Sequence, residues 1–245
     1  RNESFNGSIV NRIWKHYLGI GLVEPVDDLR ASNPPSNPAL WKALITDFDA
    51  HGSDLKHLMR TILRSHTYQL SSAANETNVG DTKNFSRSYR RRLPAEVLLD
   101  AVAQVTGTRE NFSGLADGAR ALQTWNFKLD SDFMDAFGRP NSSAECPCER
   151  DAKPSMVQAL HMMNSTKLNA KVTAAEGRAH QLAAGKASED DLITELYLSA
   201  YSRRPTDDER AAAKRAFTAK DATRQSATED LLWALLNSAE FVFNH

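Results

Sequence analysis

The chain has 245 residues, 41% hydrophobic and 25% charged, with a formal net charge of −1. That length can bury a sizeable core, and the near-neutral charge gives no global pull toward nucleic acid or anionic membrane. No apolar run approaches the ~18 residues of a membrane span, so neither a nucleic-acid partner nor a spanning segment is expected.

Arg1-Asn2-Glu3-Ser4-Phe5 is polar and no apolar stretch follows it, so no signal peptide is expected here. The helical pattern is under way within a few residues, as inside a longer protein. Asn6 to His16 carries Ile9, Val10, Ile13, Trp14 and then Tyr17 at helical spacing, and Gly19 and Gly21 stop it. Asn33-Pro34-Pro35-Ser36-Asn37 reads as a rigid loop, with Asn37 as cap and Pro38 as first helical residue. Leu40, Trp41, Leu44, Ile45 and Phe48 form that helix's buried face, and His51-Gly52 ends it. Ser53 is the expected cap of the next helix, whose stripe is Leu55, Leu58, Met59, Ile62 and Leu63.

Ser71 to Asn84 is small and polar and is expected to be a mobile loop, cut first by protease, with a division into two subdomains near 71–88. Pro94 opens a helix with Val97, Leu98, Ala101, Val102 and Val105 inward and Gly107 closing it. Residues 107–128 are Gly-rich and then aromatic, and a short strand is plausible there. Asp132 to Phe137 reads as one or two helical turns ended by Gly138. Further helices are expected from Pro154 through Met163, from about Thr166 to Ala184, and from Ala227 to Phe243. Ser188-x-x-Asp191 and Thr206-x-x-Glu209 have capping-box spacing. The pattern predicts one domain over 1–245, all-α or nearly so: a multi-helix, bundle-like fold with long loops and at most a minor sheet.

Several words stand out in order: Asn11-Arg12-x-Trp14, Gly19-x-Gly21-Leu22-Val23, Asp27-Asp28, Asn33-Pro34-Pro35-Ser36-Asn37-Pro38, Leu63-x-Ser65-x-Thr67-Tyr68-Gln69, Arg91-Arg92-Leu93-x-Ala95-Glu96, Gln158-Ala159-Leu160 with Asn164-Ser165, Tyr201-Ser202-Arg203-Arg204-Pro205-Thr206 and Leu235-Leu236-Asn237-Ser238. Together they resemble a planctomycete-specific domain family of unknown function, the C-terminal module of exported multidomain proteins with cytochrome-c-like parts. The resemblance covers nearly the whole chain. It departs at Asn37, where His is common, and at Leu18, where Phe is common. It implies a periplasmic or secreted location, neighbouring modules of the parent protein as partners, and an association with polysaccharide. It supplies no catalytic residues.

The candidate sites are few. Cys146-Pro147-Cys148 admits a metal pair completed by His161, a redox pair, or two thiols packed in a tight loop. Pro147 favours an extended path that separates the two Cα atoms to the edge of the disulfide range, and the packing role is favoured. Arg87, Arg90, Arg91 and Arg92 could hold an anion such as a sulfated ligand through guanidinium forks, or could pair with Glu96 and Asp100. Arg12 is expected to form a buried ion pair with Asp27 or Asp28. The histidines form no ligand word, and no Cys-x-x-Cys-His haem-attachment motif is present, so the sequence itself requires no cofactor. The expected role is that of a structural or binding module, with neighbouring modules of its parent as partners and a glycan or sulfated ligand as the candidate ligand. The alternative is an enzyme, a glycan-related hydrolase or a metal- or redox-dependent activity, with its site near the cysteine loop.

Overall fold

In a computed structural model, residues 3–124, 130–139 and 155–244 are described. Among them the regular structure is helical apart from two paired two-residue strands, β1 (Arg91–Arg92) and β2 (Phe243–Asn244). The chain divides into two compact units, the first running to Arg91 and the second from Arg92 to Asn244.

The first unit is built from α1 (Glu3–Leu18), α2 (Pro38–Ala50) and α3 (Leu55–Arg64). Val10, Trp14 and Leu18 recur every four residues on α1 and are buried against Leu44, Ile45 and Phe48 of α2 and Leu58 and Ile62 of α3. Asn37 caps α2 as the sequence suggests, its side chain accepting from Leu40 N at 3.0 Å. Ser53 does not cap α3. It takes a left-handed φ of 61°, outside the extended geometry a cap needs, and Asp54 accepts from Lys56 N (2.8 Å) and His57 N (3.3 Å) instead. At Gly7 an added Cβ would stand 2.7 Å from the Trp41 ring, so the missing side chain is what lets α1 and α2 approach.

The polar segment from Ser71 to Tyr89 belongs to this first unit and has no helix or strand. Local bonds shape it: Asp81 accepts from the backbone N–H groups of Lys83, Asn84 and Ser86. Phe85 is buried and meets Trp14 edge-on at 5.3 Å, fastening the segment's end to the core.

The second unit holds α4 (Ala95–Thr106), a 3₁₀ turn (Ala121–Gln123), α5 (Asp132–Ala136), α6 (Met156–Asn164), α7 (Thr166–Val172), α8 (Arg178–Ala184), α9 (Glu189–Tyr201), α10 (Asp207–Phe217), α11 (Arg224–Leu236) and α12 (Ala239–Val242). Helix α11 is central: Ala227, Thr228, Leu231, Leu232, Leu235 and Leu236 are all buried, and α7 to α10 and α12 pack around it. Residues 107–128 show no strand where they are described. They run through turns into the 3₁₀ segment, whose N–H groups at Ala121 (2.6 Å) and Leu122 (3.3 Å) are met by the buried Asp100. Residues 125–128 of that stretch lie outside the described residues.

Two expected long helices are each broken. The Thr166–Ala184 stretch divides into α7 and α8 because Gly177 makes a turn in which a Cβ would sit 3.0 Å from Ala174 O and 3.2 Å from Thr106 O. The Ala227–Phe243 stretch starts earlier, at Arg224 behind a Thr223 cap, and stops at Leu236. Ser238 then caps α12, accepting from Phe241 N at 3.1 Å. Of the two expected capping boxes, Thr206–Glu209 is reciprocal, while Ser188 accepts from Asp191 N and the Asp191 carboxylate takes the serine hydroxyl instead.

Arg203 ties the ends of three helices together. Its guanidinium meets Glu209 at 2.7 and 2.8 Å and Glu240 at 2.6 and 2.7 Å, and it lies 5.4 Å from the Tyr201 ring centroid. The Arg203 bonds hold the Glu209 carboxyl at about 2, below its ordinary 4.5, against an opposing burial effect. The folded-state value is the depressed one, so the pair's stabilisation is complete above about pH 4.5 and is lost as pH falls through about 2. In Arg203→Met, the acid limb of stability against pH, followed by chemical denaturation, is expected to flatten across that window.

A second expectation concerns α1. Asn11 is fully buried; it donates to Val23 O (2.8 Å) and Val26 O (3.0 Å) and accepts from Val23 N (3.1 Å). Asn11→Ala leaves buried backbone groups unpaired and is expected to cost about 2–4 kcal/mol. Arg12→Met, on the exposed side, is expected to cost less than about 1 kcal/mol. Urea denaturation of the two variants checks the order.

Candidate functional site

A cleft of about 860 Å³ lies in the second unit. Its walls are the end of α4 with the 107–112 loop, the start of α5, and α6 with α7. Gly107 closes α4 at a left-handed φ of 71° and turns the chain into this wall. Ser131 and Ser165 line the cleft, yet both hydroxyls are spent as helix caps, accepting from Met134 N and Leu168 N, each at 3.3 Å.

Both lysines of the cleft wall are paired with acids, while Arg109, Asp130 and Glu176 also line it. Lys167 Nζ lies 2.9 Å from Asp132 Oδ2, and Lys171 Nζ lies 2.8 Å from Glu110 Oε1. Lys171 also donates to Thr108 Oγ1 at 3.2 Å. The Lys167 bond lowers the Asp132 carboxyl below the usual carboxylate range and raises Lys167 in turn. His161, half-buried on α6, stands edge-on to Phe133 at 5.5 Å and Phe137 at 6.2 Å. Burial pushes its pKa below the ordinary value; Asp132 opposes that shift and Lys167 adds to it. His161 is therefore predominantly neutral at pH 7 and can accept or donate a hydrogen bond in the cleft. No hydroxyl among the described residues is hydrogen-bonded to it, so the cleft shows no activated nucleophile there. Cys146 and Cys148, its expected metal partners, lie outside the described residues.

The other expected site residues fall elsewhere. Arg12 meets Asp27 at 2.5 Å, but both side chains are 57% exposed. The pair sits in solvent because Asn11, not Arg12, occupies the inward position of α1. Asp28 pairs instead with Arg30, whose bond lowers the Asp28 carboxyl. The three consecutive arginines have separate tasks. Arg90 is exposed, 3.5 Å from Ser72 Oγ at a shallow surface hollow that Arg87 also lines. Arg91 donates to His16 O (2.5 Å) and Tyr17 O (2.7 Å), closing the end of α1. Arg92 lies over the Phe137 ring at 5.4 Å and donates to Leu93 O at 3.1 Å. The buried Asp100 expected beside this run is paired with Arg120 at 3.3 Å.

One cluster escaped the sequence reading. Asp47, His51 and His57 bring their ligating atoms within 4.8 Å of one another at the α2–α3 corner. The i, i+4 spacing of Asp47 and His51 was visible, but the third member depends on how tightly residues 51–54 turn.

No curated protein and no solved structure matches the chain. The family model described as PSD1, a protein of unknown function (DUF1553), matches residues 1–217, so the chain belongs to that family.

Proposed function

We propose that the chain is a structural or binding module of a larger exported multidomain protein, docking against a neighbouring module of its parent. The observation that carries this reading is the outer face of α6. Met156, Leu160 and Met163 recur at i, i+4 and i+7 beside Val157, and all four are exposed, while Gln158 and Met162 turn inward. Contiguous exposed apolar surface of this kind is characteristic of a face that receives a partner. The C-terminal place in an exported, cytochrome-c-linked parent rests on the ordered words of the sequence. No helix among the described residues is long and apolar enough to cross a membrane.

A second reading, a cleft that takes a glycan or acts on it, has one observation on its side. His161 stands edge-on to the Phe133 ring at the cleft wall, with burial favouring its neutral form, an arrangement suited to stacking and hydrogen bonding with a polar ring.

The docking reading is tested by capturing the remainder of the parent protein with this chain. Leu160→Glu combined with Met163→Glu is expected to weaken capture by about tenfold or more. Because both positions face outward, the double variant should keep its circular dichroism and melting temperature. Undiminished capture by the folded variant would exclude α6 as the docking face.

A further inference from the structure

We propose that Asp47, His51 and His57 form a binding site for a divalent transition-metal ion, zinc by its ligand set, at the corner between α2 and α3. The argument begins with the turn. His51 ends α2, and Gly52 (φ 65°) and Ser53 (φ 61°) both adopt left-handed backbone before Asp54 starts α3. This abrupt reversal lays the first turn of α3 against the last turn of α2. Buried Phe48, Leu58 and Ile62 fix the two helices beneath it. The cluster therefore stands on a rigid platform, as a metal site requires.

One carboxylate serves both rings. Asp47 Oδ2 lies 2.9 Å from His57 Nε2, and Asp47 Oδ1 lies 3.3 Å from His51 Nδ1. The imidazoles are stacked, with centroids 3.7 Å apart and planes 16° from parallel. Donor atoms on a tetrahedral zinc stand about 3.4 Å apart, given metal–ligand bonds near 2.1 Å. Both carboxylate–imidazole separations fall just short of that spacing, so small side-chain movements reach it. Convergence of both nitrogen lone pairs on one ion requires the His51 ring to fan away from His57. With 48% of its side chain exposed, His51 has room to do so. In fanning, His51 Nδ1 gives up its 2.9 Å contact with Asp47 O, but the His51 backbone N–H still satisfies that carbonyl at 3.1 Å. The rearrangement thus strands no backbone group.

The ligand set selects the ion. Two neutral imidazoles and a carboxylate suit zinc, copper or nickel, whereas calcium and magnesium demand mostly oxygen. Three protein ligands at a partly exposed corner leave a coordination position for water, the open type of zinc site. Thr61 Oγ1, 3.5 Å from His57 Nε2, is one helical turn further along the same face of α3.

The test uses the full chain, stripped with chelator and titrated calorimetrically with zinc chloride. One equivalent should bind at about 50 µM protein and raise the melting temperature, as any ligand of the folded state does. Cobalt(II) in place of zinc should give a visible absorption band. His57→Ala, His51→Ala and Asp47→Asn should each weaken binding at least about tenfold, while His180→Ala should not. Circular dichroism of each variant in chelator establishes that it is folded. A Cys146→Ser/Cys148→Ser chain should still bind one zinc here. No stoichiometric binding, or binding that survives in folded His57→Ala but disappears with the two cysteines, would overturn the proposal.

Discussion

A fold made of short helices has many helix ends, and each end leaves four backbone groups without partners inside the helix. Satisfying those ends is the constraint on which the rest of this structure depends. Arginines do much of the work at the C-terminal ends. Arg91 closes α1 through His16 O and Tyr17 O, and Arg178 closes α4 through Gln104 O and Val105 O. Arg224 reaches Ala183 O and Ala187 O around the end of α8. Each brings positive charge to the negative end of a helix dipole and comes from a distant part of its own unit. At the N-terminal ends the short side chains of Asn37, Asp54, Ser155, Ser165, Thr206 and Ser238 accept backbone N–H groups.

This constraint also accounts for the partners of several conspicuous charges. Arg91 reads in sequence as part of an anion-binding run, yet its guanidinium is occupied by carbonyl oxygens. Arg203, inside another prominent word, is saturated by Glu209 and Glu240. Lys167 and Lys171 face the cleft but are paired with acids. Apolar side chains also stand outward on α6, at Met156, Val157, Leu160 and Met163.

Much of the fold was legible because stripes and caps are local. Val10 and Trp14, or Leu44, Ile45 and Phe48, could be placed inward from spacing alone. Breaks were harder, because a helix is interrupted only when something else competes for its backbone. Gly177 breaks one by its close approach to the remote Thr106 O, and Ser238 breaks another by capping a new turn while accepting from the remote Tyr201 hydroxyl. Asn11 and Arg12 show the same limit at one-residue scale. Arg12 drew attention through its charge, but the helix turns Asn11 inward, where it holds the Val23–Val26 backbone. The cleft and the Asp47–His51–His57 corner were invisible for a further reason, since each is assembled by loop geometry that no periodic pattern encodes.

The setting of Trp14 has an optical consequence. Its indole is buried to within 3% of full enclosure and packed edge-on to Phe85, and its Nε1 has no hydrogen-bond partner among the described residues. An indole so shielded emits toward the blue and shifts red when water reaches it. Trp41 and Trp233 are only half-buried and Trp125 lies outside the described residues, so among the described indoles the bluest emission should come from Trp14, in the first unit. That unit therefore carries its own chromophore for observing its opening in real time, without any label.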